Sequence, residues 1–257
     1  MSHEISEMYL KGVSGVEISK KLNIPTWKVY STLEKLGVNR RSNSINSRKY
    51  YVDDNFFENI DNQLKAYWFG YMLADGHVSP DAKVVSVSCK TPDKSHLKKF
   101  RSAVLSDYPI AEYCAETEYG TTNYARLKFV SEKMVSDLIQ HGCVPRKSLI
   151  LNKPNGIPES LYRHLLRGYV DGDGSITYHD KQGTPKLSMV GTQNFLQWTN
   201  ENMPTPGKIY ADKRRPHISY AQYVRKAATD NIEWMYKDAE IYMERKYQRA
   251  VEVLGGF

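Results

Sequence analysis

The sequence predicts an α+β protein with two similar halves and a small all-helical segment in front of them. One observation behind this prediction is a short pattern that occurs twice, as WFGYMLADG at residues 68–76 and as LRGYVDGDG at residues 166–174. Another is the order of periodic segments after each copy, where helices alternate with pairs of strands. A third is the basic character of the first fifty residues, which sets them apart from the rest.

Cysteine usage and hydropathy indicate a protein of the cell interior. The 257-residue chain has three scattered cysteines, Cys89, Cys114 and Cys143, which match neither a disulfide framework nor a zinc spacing. Its first residues are too polar for a secretory signal, and no apolar run approaches the length of a membrane span. We therefore expect a cytoplasmic protein that does not enter membranes, in a bacterial or phage-infected cell.

Positive charge is concentrated at the start of the chain. Residues 1–50 hold nine Lys and Arg against four Glu, which accounts for +5 of the net charge of +7. A basic segment of this kind is typical of proteins that bind a polyanion, most often nucleic acid. Charge alone is a weak signal, because many basic proteins bind nothing in particular.

Three short helices are predicted in residues 1–50, over residues 4–11, 16–22 and 26–36. Ser14 is a suitable N-cap for the second helix, and Gly37 ends the third. Two short helices joined by a tight turn resemble a helix-turn-helix DNA-binding module. The alternative is a three-helix cap with solvated lysines, and the charge concentration favours DNA binding. The residues expected to face the major groove are Lys28, Ser31, Thr32 and Lys35, and those expected to follow phosphates or a minor groove are Arg40 and Arg41.

The remaining chain divides into a linker at residues 51–64, a first half at 65–153 and a second half at 154–257. In the first half, the pattern predicts strands near residues 84–88, 111–115 and 124–129, and helices over 93–105 and 131–140. In the second half it predicts a helix over 161–171, strands near 175–178, 186–190, 207–210 and 217–223, a helix over 194–202 and helices within 229–254.

The spacing of small residues explains the repeated pattern. Gly70 and Ala74 lie four residues apart, as do Gly168 and Gly172, so that each pair occupies one helix face and permits close packing of two backbones. If the two helices pack together there, Asp75 and Asp173 emerge side by side at their C-terminal ends.

Two carboxylates at helix C-termini repel each other and the partial negative charge of the helix ends. A divalent cation between them removes this penalty, and hard oxygen ligands suit magnesium acting on phosphates. A single Asp-Gly pair is usually only a helix stop, but two on matched helices favour the metal interpretation. An EF-hand is excluded, because with Asp171 at its first position the required glycine falls on Ile176.

The paired motifs resemble those of the LAGLIDADG homing endonucleases in their single-chain, two-repeat form. Residues 166–174 match the family motif closely and residues 68–76 more loosely, because Leu73 replaces its first acidic residue. The resemblance covers roughly residues 55–254, and residues 236–247 are similar to a closing helix of free-standing members. It implies an αββαββα fold in each half, with two antiparallel sheets that form a saddle in the DNA major groove.

The same resemblance implies the site residues. Asp75 and Asp173 would hold two or more Mg²⁺ ions with help from the backbone carbonyls of Ala74 and Gly172. A basic residue in each half would act on the scissile phosphate, for which Lys147 and Lys246 are the candidates, although either is equally explained as a solvated lysine. Residues expected to contact DNA from the strands are Ser86, Ser88, Lys128, Lys186, Ser188, Gln222 and Arg225, with Lys213, Arg214 and Arg215 as a phosphate clamp.

These features predict a monomeric, magnesium-dependent endonuclease that breaks both strands of a long double-stranded DNA target and promotes mobility of its own intron or gene. The alternative is a binding protein on the same fold that does not cleave, either a DNA-binding regulator or an RNA maturase. Retention of both motif aspartates favours cleavage, although it does not exclude a maturase. An intein is disfavoured, because the ends lack splicing residues.

Overall fold

A computed structural model describes residues 1–38, 49–117, 120–179 and 183–256. The chain forms two compact units, Met1–Tyr51 and Val52–Phe257, and each is described by itself.

The first unit contains three helices, α1 (Ser2–Leu10), α2 (Gly15–Leu22) and α3 (Thr26–Lys35). They enclose a small core of the buried side chains Ile5, Tyr9, Ile18, Val29 and Leu33. As predicted, Ser14 caps α2: its hydroxyl accepts the backbone N–H of Glu17, whose carboxylate accepts the N–H of Ser14 in return.

The first half of the second unit follows the predicted order of helices and strand pairs. Its elements are α4 (Gln63–Ala74), β1 (Gly76–Val78), β2 (Val84–Lys90), α5 (Lys94–Ala103), β3 (Ile110–Thr117), β4 (Gly120–Val130) and α6 (Glu132–Gln140). A short 3₁₀ turn at Lys147–Leu149 comes after α6.

The second half repeats this order and adds one helix. Its elements are α7 (Tyr162–Asp173), β5 (Gly174–Tyr178), β6 (Pro185–Gly191), α8 (Gln193–Glu201), β7 (Lys208–Ala211), β8 (Ser219–Val224), α9 (Lys226–Tyr236) and α10 (Glu244–Leu254).

The strands form two antiparallel sheets with the same topology, β1-β2-β4-β3 and β5-β6-β8-β7. The registers also correspond, since Gly76 pairs with Val87 in the first sheet and Gly174 pairs with Met189 in the second. Apolar side chains alternate towards the core along β2, β6 and β8, which leaves the other face of each sheet accessible. The α+β fold with two duplicated antiparallel sheets is therefore confirmed.

The two motif helices pack against each other at their glycines, as the spacing predicts. A Cβ atom at Gly70 would collide with the backbone carbonyl of Leu165, and one at Gly168 would collide with that of Tyr67. Because the helices approach this closely, α4 is almost completely buried: every residue from Ala66 to Ala74 is inaccessible or nearly so.

The structure differs from the sequence prediction in three places. Strand β1 was not predicted, because three residues are too few for a visible alternation. Residues 51–64 are not a polar linker, since Val52, Phe56, Phe57 and Ile60 are buried in the core of the second unit. The segment at residues 236–247 is not one helix: α9 ends at Tyr236, and α10 begins at Glu244.

Candidate metal centre

Asp75 and Asp173 occupy equivalent places at the ends of the two motif helices. Asp75 is the C-cap of α4, Asp173 is the last residue of α7, and both side chains are accessible to solvent. Gly172 lies against the opposite helix, where a Cβ atom in its place would be 3.3 Å from Oδ2 of Asp75. The close helix contact thus brings the two carboxylates together, as expected from the sequence.

The two carboxylates are electrostatically coupled. Partial desolvation and the negative charge of Asp173 raise the pKa of Asp75 to about 6, against the weaker opposing effects of Tyr71 and the two lysines Lys147 and Lys246. Desolvation also raises the pKa of Asp173, although the same two lysines oppose it. Holding both groups ionised in this position costs free energy, and a cation between them would recover it.

Lys147 and Lys246, the basic candidates, converge on this centre from corresponding positions. Lys147 lies in the 3₁₀ turn after α6, and its Nζ donates a 2.5 Å hydrogen bond to the carbonyl of Gly76. Lys246 lies in α10, and its Nζ donates to the carbonyl of Gly174. Each lysine therefore binds the first residue of the strand that follows the motif helix: Gly76 in β1 or Gly174 in β5. Both side chains are only 7% exposed, so they are not merely solvated surface lysines.

The donor set fits a small hard cation. Two accessible carboxylates supply oxygen ligands, and a magnesium ion normally completes its shell with waters and substrate phosphates. In the part of the chain that the structure describes, no group of three or more His, Cys, Asp and Glu side chains forms a cage for a metal ion. A site with two carboxylates and open positions is consistent with that finding, because its remaining ligands need not come from side chains.

A buried hydrogen-bond network lies behind the centre and joins the two halves. The Asp171 carboxylate accepts hydrogen bonds from Tyr67 Oη (2.5 Å), Tyr236 Oη (2.6 Å) and the backbone N–H of Met243 (2.6 Å). The Tyr67 hydroxyl also contacts Nε2 of His96 at 2.9 Å. Asp171 is the first acidic residue of the motif at residues 166–174. It lies in the buried interior, two residues before Asp173.

Arg167 is buried in the same region and secures the loop between α9 and α10. Its Nε donates to the carbonyl of Ile241 at 2.9 Å, and its Nη1 donates to that of Met235 at 2.8 Å. The guanidinium also lies over the Tyr67 ring at 5.4 Å. Together with the bond from Met243 to Asp171, these contacts explain why the chain is interrupted between α9 and α10.

The predicted strand contacts lie together on the accessible faces of the sheets. Ser86 pairs with Lys128 across β2 and β4, and Ser188 pairs with Gln222 across β6 and β8. These four side chains are partly or fully exposed, as is that of Lys186. The two pairs are equivalent by register, and both sheets therefore present a polar row at corresponding positions.

Arg126 belongs to the first of these rows but was missed in the sequence. Its Nε donates to Ser88 Oγ at 3.0 Å, its Nη2 donates to Tyr113 Oη at 2.9 Å, and its guanidinium lies over the Tyr113 ring. The alternation of Tyr124, Arg126 and Lys128 in β4 was the signal that could have revealed it.

The expected phosphate clamp at residues 213–215 is only partly available. Lys213 and Arg214 are exposed, whereas Arg215 forms an ion pair with Asp212 and donates to Tyr220 Oη at 2.7 Å. Arg225 is exposed immediately before α9.

In the first unit, Lys28 and Lys35 are exposed on α3, and Ser31 and Thr32 are half-buried between them. The Thr32 hydroxyl donates to the carbonyl of Lys28 at 2.8 Å, so its proton is used in a hydrogen bond within the helix. The prediction also overlooked an aromatic residue, since Trp27 is 70% exposed on this helix. Arg40 and Arg41 lie outside the described residues.

Comparison with known proteins gives matches among solved structures only. No protein-family model matches the sequence, and no curated protein does. The similar structures include the LAGLIDADG meganuclease I-AabMI bound to uncleaved DNA, with 10% identity, a TM-score of 0.47 and coverage of 76% of this chain and 90% of that chain. The homing endonuclease I-WcaI bound to its DNA recognition sequence has 14% identity, a TM-score of 0.49 and coverage of 83% and 96%.

A third similar structure is the N-terminal LAGLIDADG domain of DUF199/WhiA, with 12% identity, a TM-score of 0.45 and coverage of 82% of this chain and 98% of that chain. Two of these three structures are described as LAGLIDADG proteins and the other as a homing endonuclease. At this identity and TM-score, the likeness concerns the chain trace and says nothing about activity.

Among the helices of the described residues, none is long and apolar enough to cross a membrane.

Proposed function

We propose that this protein is a sequence-specific DNA endonuclease of the LAGLIDADG type that makes a metal-dependent double-strand break and so promotes mobility of its own intron or gene. The observation that carries the proposal is the position of Lys147 and Lys246 at two packed helix ends, where they bind the carbonyls of the residues directly after Asp75 and Asp173. One acid and one buried cation per half, related by the duplicated topology, suit a substrate with two equivalent scissile bonds.

The residues have distinct roles in this proposal. Asp75 and Asp173 hold divalent ions, assisted by the backbone carbonyls of Ala74 and Gly172. Magnesium would activate water and neutralise charge on the phosphate. Lys147 and Lys246 place a positive charge in each half of the centre, where it favours an approaching phosphate and offsets the repulsion between the carboxylates.

Double-stranded DNA is the partner that the accessible sheet faces favour. Lysine, arginine and glutamine are side chains that read base edges in the major groove, and Lys128, Arg126 and Gln222 lie on these faces. The first unit contributes the exposed lysines of α3 as a helix-turn-helix module, and the whole protein acts as a monomer.

The test is cleavage of a large randomised duplex library, and of the DNA flanking this gene joined without it, in Mg²⁺ and in Ca²⁺. We expect discrete cuts in Mg²⁺ that Asp173→Asn abolishes without loss of DNA affinity. Asp81→Asn, which makes the same change at an exposed position, is the matched control and should cut normally.

Two outcomes would contradict this proposal. Undiminished cutting by Asp173→Asn would remove Asp173 from the metal site. Tight, salt-sensitive retention of one DNA or RNA sequence without cutting in either ion would identify a regulator or a maturase instead.

A further inference from the structure

Tyr71 and Tyr169 occupy the same position in the two motif helices but have different partners. Tyr169 in α7 donates a 2.7 Å hydrogen bond to the carbonyl of Val190 in β6. Tyr71 in α4 is completely buried, and its hydroxyl has no partner within hydrogen-bonding geometry. A buried hydroxyl without a partner costs free energy, so this difference between the halves requires a cause.

The cause lies in the neighbouring strands. By register, Ser88 and Cys89 in β2 correspond to Val190 and Gly191 in β6. The absence of a side chain at Gly191 leaves room for the Tyr169 hydroxyl, since a Cβ atom there would lie 2.9 Å from it. In the first half this space is taken by Cys89, whose side chain faces the core. The Tyr71 hydroxyl is therefore kept from the strand carbonyl.

The alternative acceptor for Tyr71 is Asp75. The two residues lie one helical turn apart on the same face of α4, and the backbone N–H of Asp75 donates to the carbonyl of Tyr71 at 2.9 Å. A phenol hydroxyl carries its proton at neutral pH, so Tyr71 can act as the donor in this pair.

We propose that Tyr71 is a positioning residue that donates its hydroxyl hydrogen bond to the Asp75 carboxylate, and that Cys89 enforces this role by blocking the strand carbonyl. Asp173 lacks such a donor, because Tyr169 is committed to Val190. The two carboxylates of the centre are thus inequivalent, with Asp75 oriented by its own helix and Asp173 free to adapt. This inference deepens the proposed function and rests on it for its consequence in cleavage.

The first test measures Mn²⁺ binding to the full chain by electron paramagnetic resonance, without DNA. Tyr71→Phe should weaken Mn²⁺ binding by about tenfold, the effect typical of losing a group that orients a metal-binding carboxylate. Tyr169→Phe removes the same atom from the equivalent position and should leave the affinity unchanged. Equal affinities for the two variants would overturn the inference.

The second test uses Cys89. Cys89→Gly recreates the space found beside Tyr169, so a crystal structure should show the Tyr71 hydroxyl bonded to the carbonyl of Ser88, and Mn²⁺ affinity should fall as in Tyr71→Phe. Cys89→Ala keeps the Cβ atom, and should preserve both the position of Tyr71 and the affinity. A Tyr71 hydroxyl that stays beside Asp75 in Cys89→Gly would overturn the role given to Cys89.

These measurements separate the inference from the proposed function. A chain that shows the predicted Mn²⁺ and structural responses but cuts no DNA would support the role of Tyr71 and overturn the nuclease. Normal cutting with identical Mn²⁺ affinity in all four variants would support the nuclease and overturn the role of Tyr71.

Discussion

The hydroxyl of Tyr67 donates a 2.5 Å hydrogen bond to the Asp171 carboxylate, and this bond links the first motif helix to the second. Both residues are inaccessible to solvent. Since Asp171 precedes Asp173 by two residues, the bond also fixes the end of α7 from which the second site carboxylate projects.

We predict that Tyr67→Phe lowers the free energy of unfolding by about 1–3 kcal/mol, because the buried Asp171 carboxylate loses one of its three donors. Urea denaturation followed by circular dichroism measures this change. Tyr178→Phe, at a position that is 41% exposed, is the control and should have little effect. An unchanged denaturation midpoint for Tyr67→Phe would show that the network contributes nothing to stability.

Protonation of His96 should make an unfavourable contribution to stability in acid. Burial, with smaller effects from Lys99 and Arg245, lowers the pKa of His96 from its ordinary value to about 3. Below about pH 6.5 the unfolded chain binds a proton at this position that the folded chain does not, so the contribution of His96 to stability falls as the pH drops towards 3. The loss attributable to one such group approaches about 1.4 kcal/mol per pH unit.

The pH dependence is measured by urea denaturation between pH 7 and pH 4. His96→Gln, which retains an amide donor for Tyr67, should flatten the dependence, whereas replacement of the exposed His217 by glutamine should not. A profile for His96→Gln that parallels the unsubstituted chain would assign the acid sensitivity to other groups.

Replacing one buried lysine should uncouple the two strand breaks. Lys147→Met and Lys246→Met each keep the chain length but remove the charge from one half, and we expect about 100-fold slower cleavage of one strand. With a supercoiled plasmid carrying the target, nicked circles should accumulate in either variant. The exposed Lys153 provides the control substitution to methionine. Equal slowing of both breaks would mean that the lysines act on the whole centre.

The lysines of α3 should contribute to affinity without affecting the chemistry. Simultaneous replacement of Lys28 and Lys35 by alanine should weaken DNA binding and reduce the slope of log affinity against log salt by about 2, because two phosphate contacts are lost. The cut position should not move. The same change at Lys20 and Lys21 of α2 is the matched control, and identical slopes for the two double variants would favour the three-helix cap.

The sequence was most informative where the residues of a short motif determine how its helix packs. Gly70 and Gly168 predicted the helix contact, and that contact is sufficient to bring Asp75 and Asp173 together. Interactions between distant residues were not predictable, because no local pattern records them: Tyr67 meets Asp171 across 104 positions. The break between α9 and α10 has the same origin, since Met243 is the N-cap of α10 and its N–H is held by Asp171 rather than by a preceding helical turn.

The surroundings of individual side chains were also not predictable from the sequence. Phe56 and Phe57 stand among acidic and polar neighbours, so local composition suggested a linker although both rings pack in the core. Arg126 was overlooked for the opposite reason, because its importance lies in its bonds to Ser88 and Tyr113 on adjacent strands. Only the assembled sheet places these residues in one row.

The corresponding rows of the two sheets are not the same chemically. Lys128 in the first sheet corresponds by register to Gln222 in the second, and Arg126 corresponds to Tyr220. Lysine and arginine favour guanine, whereas glutamine favours adenine. A duplex read by both sheets would therefore have a polarity: it would fit in one direction only, and each DNA strand would always meet the same carboxylate.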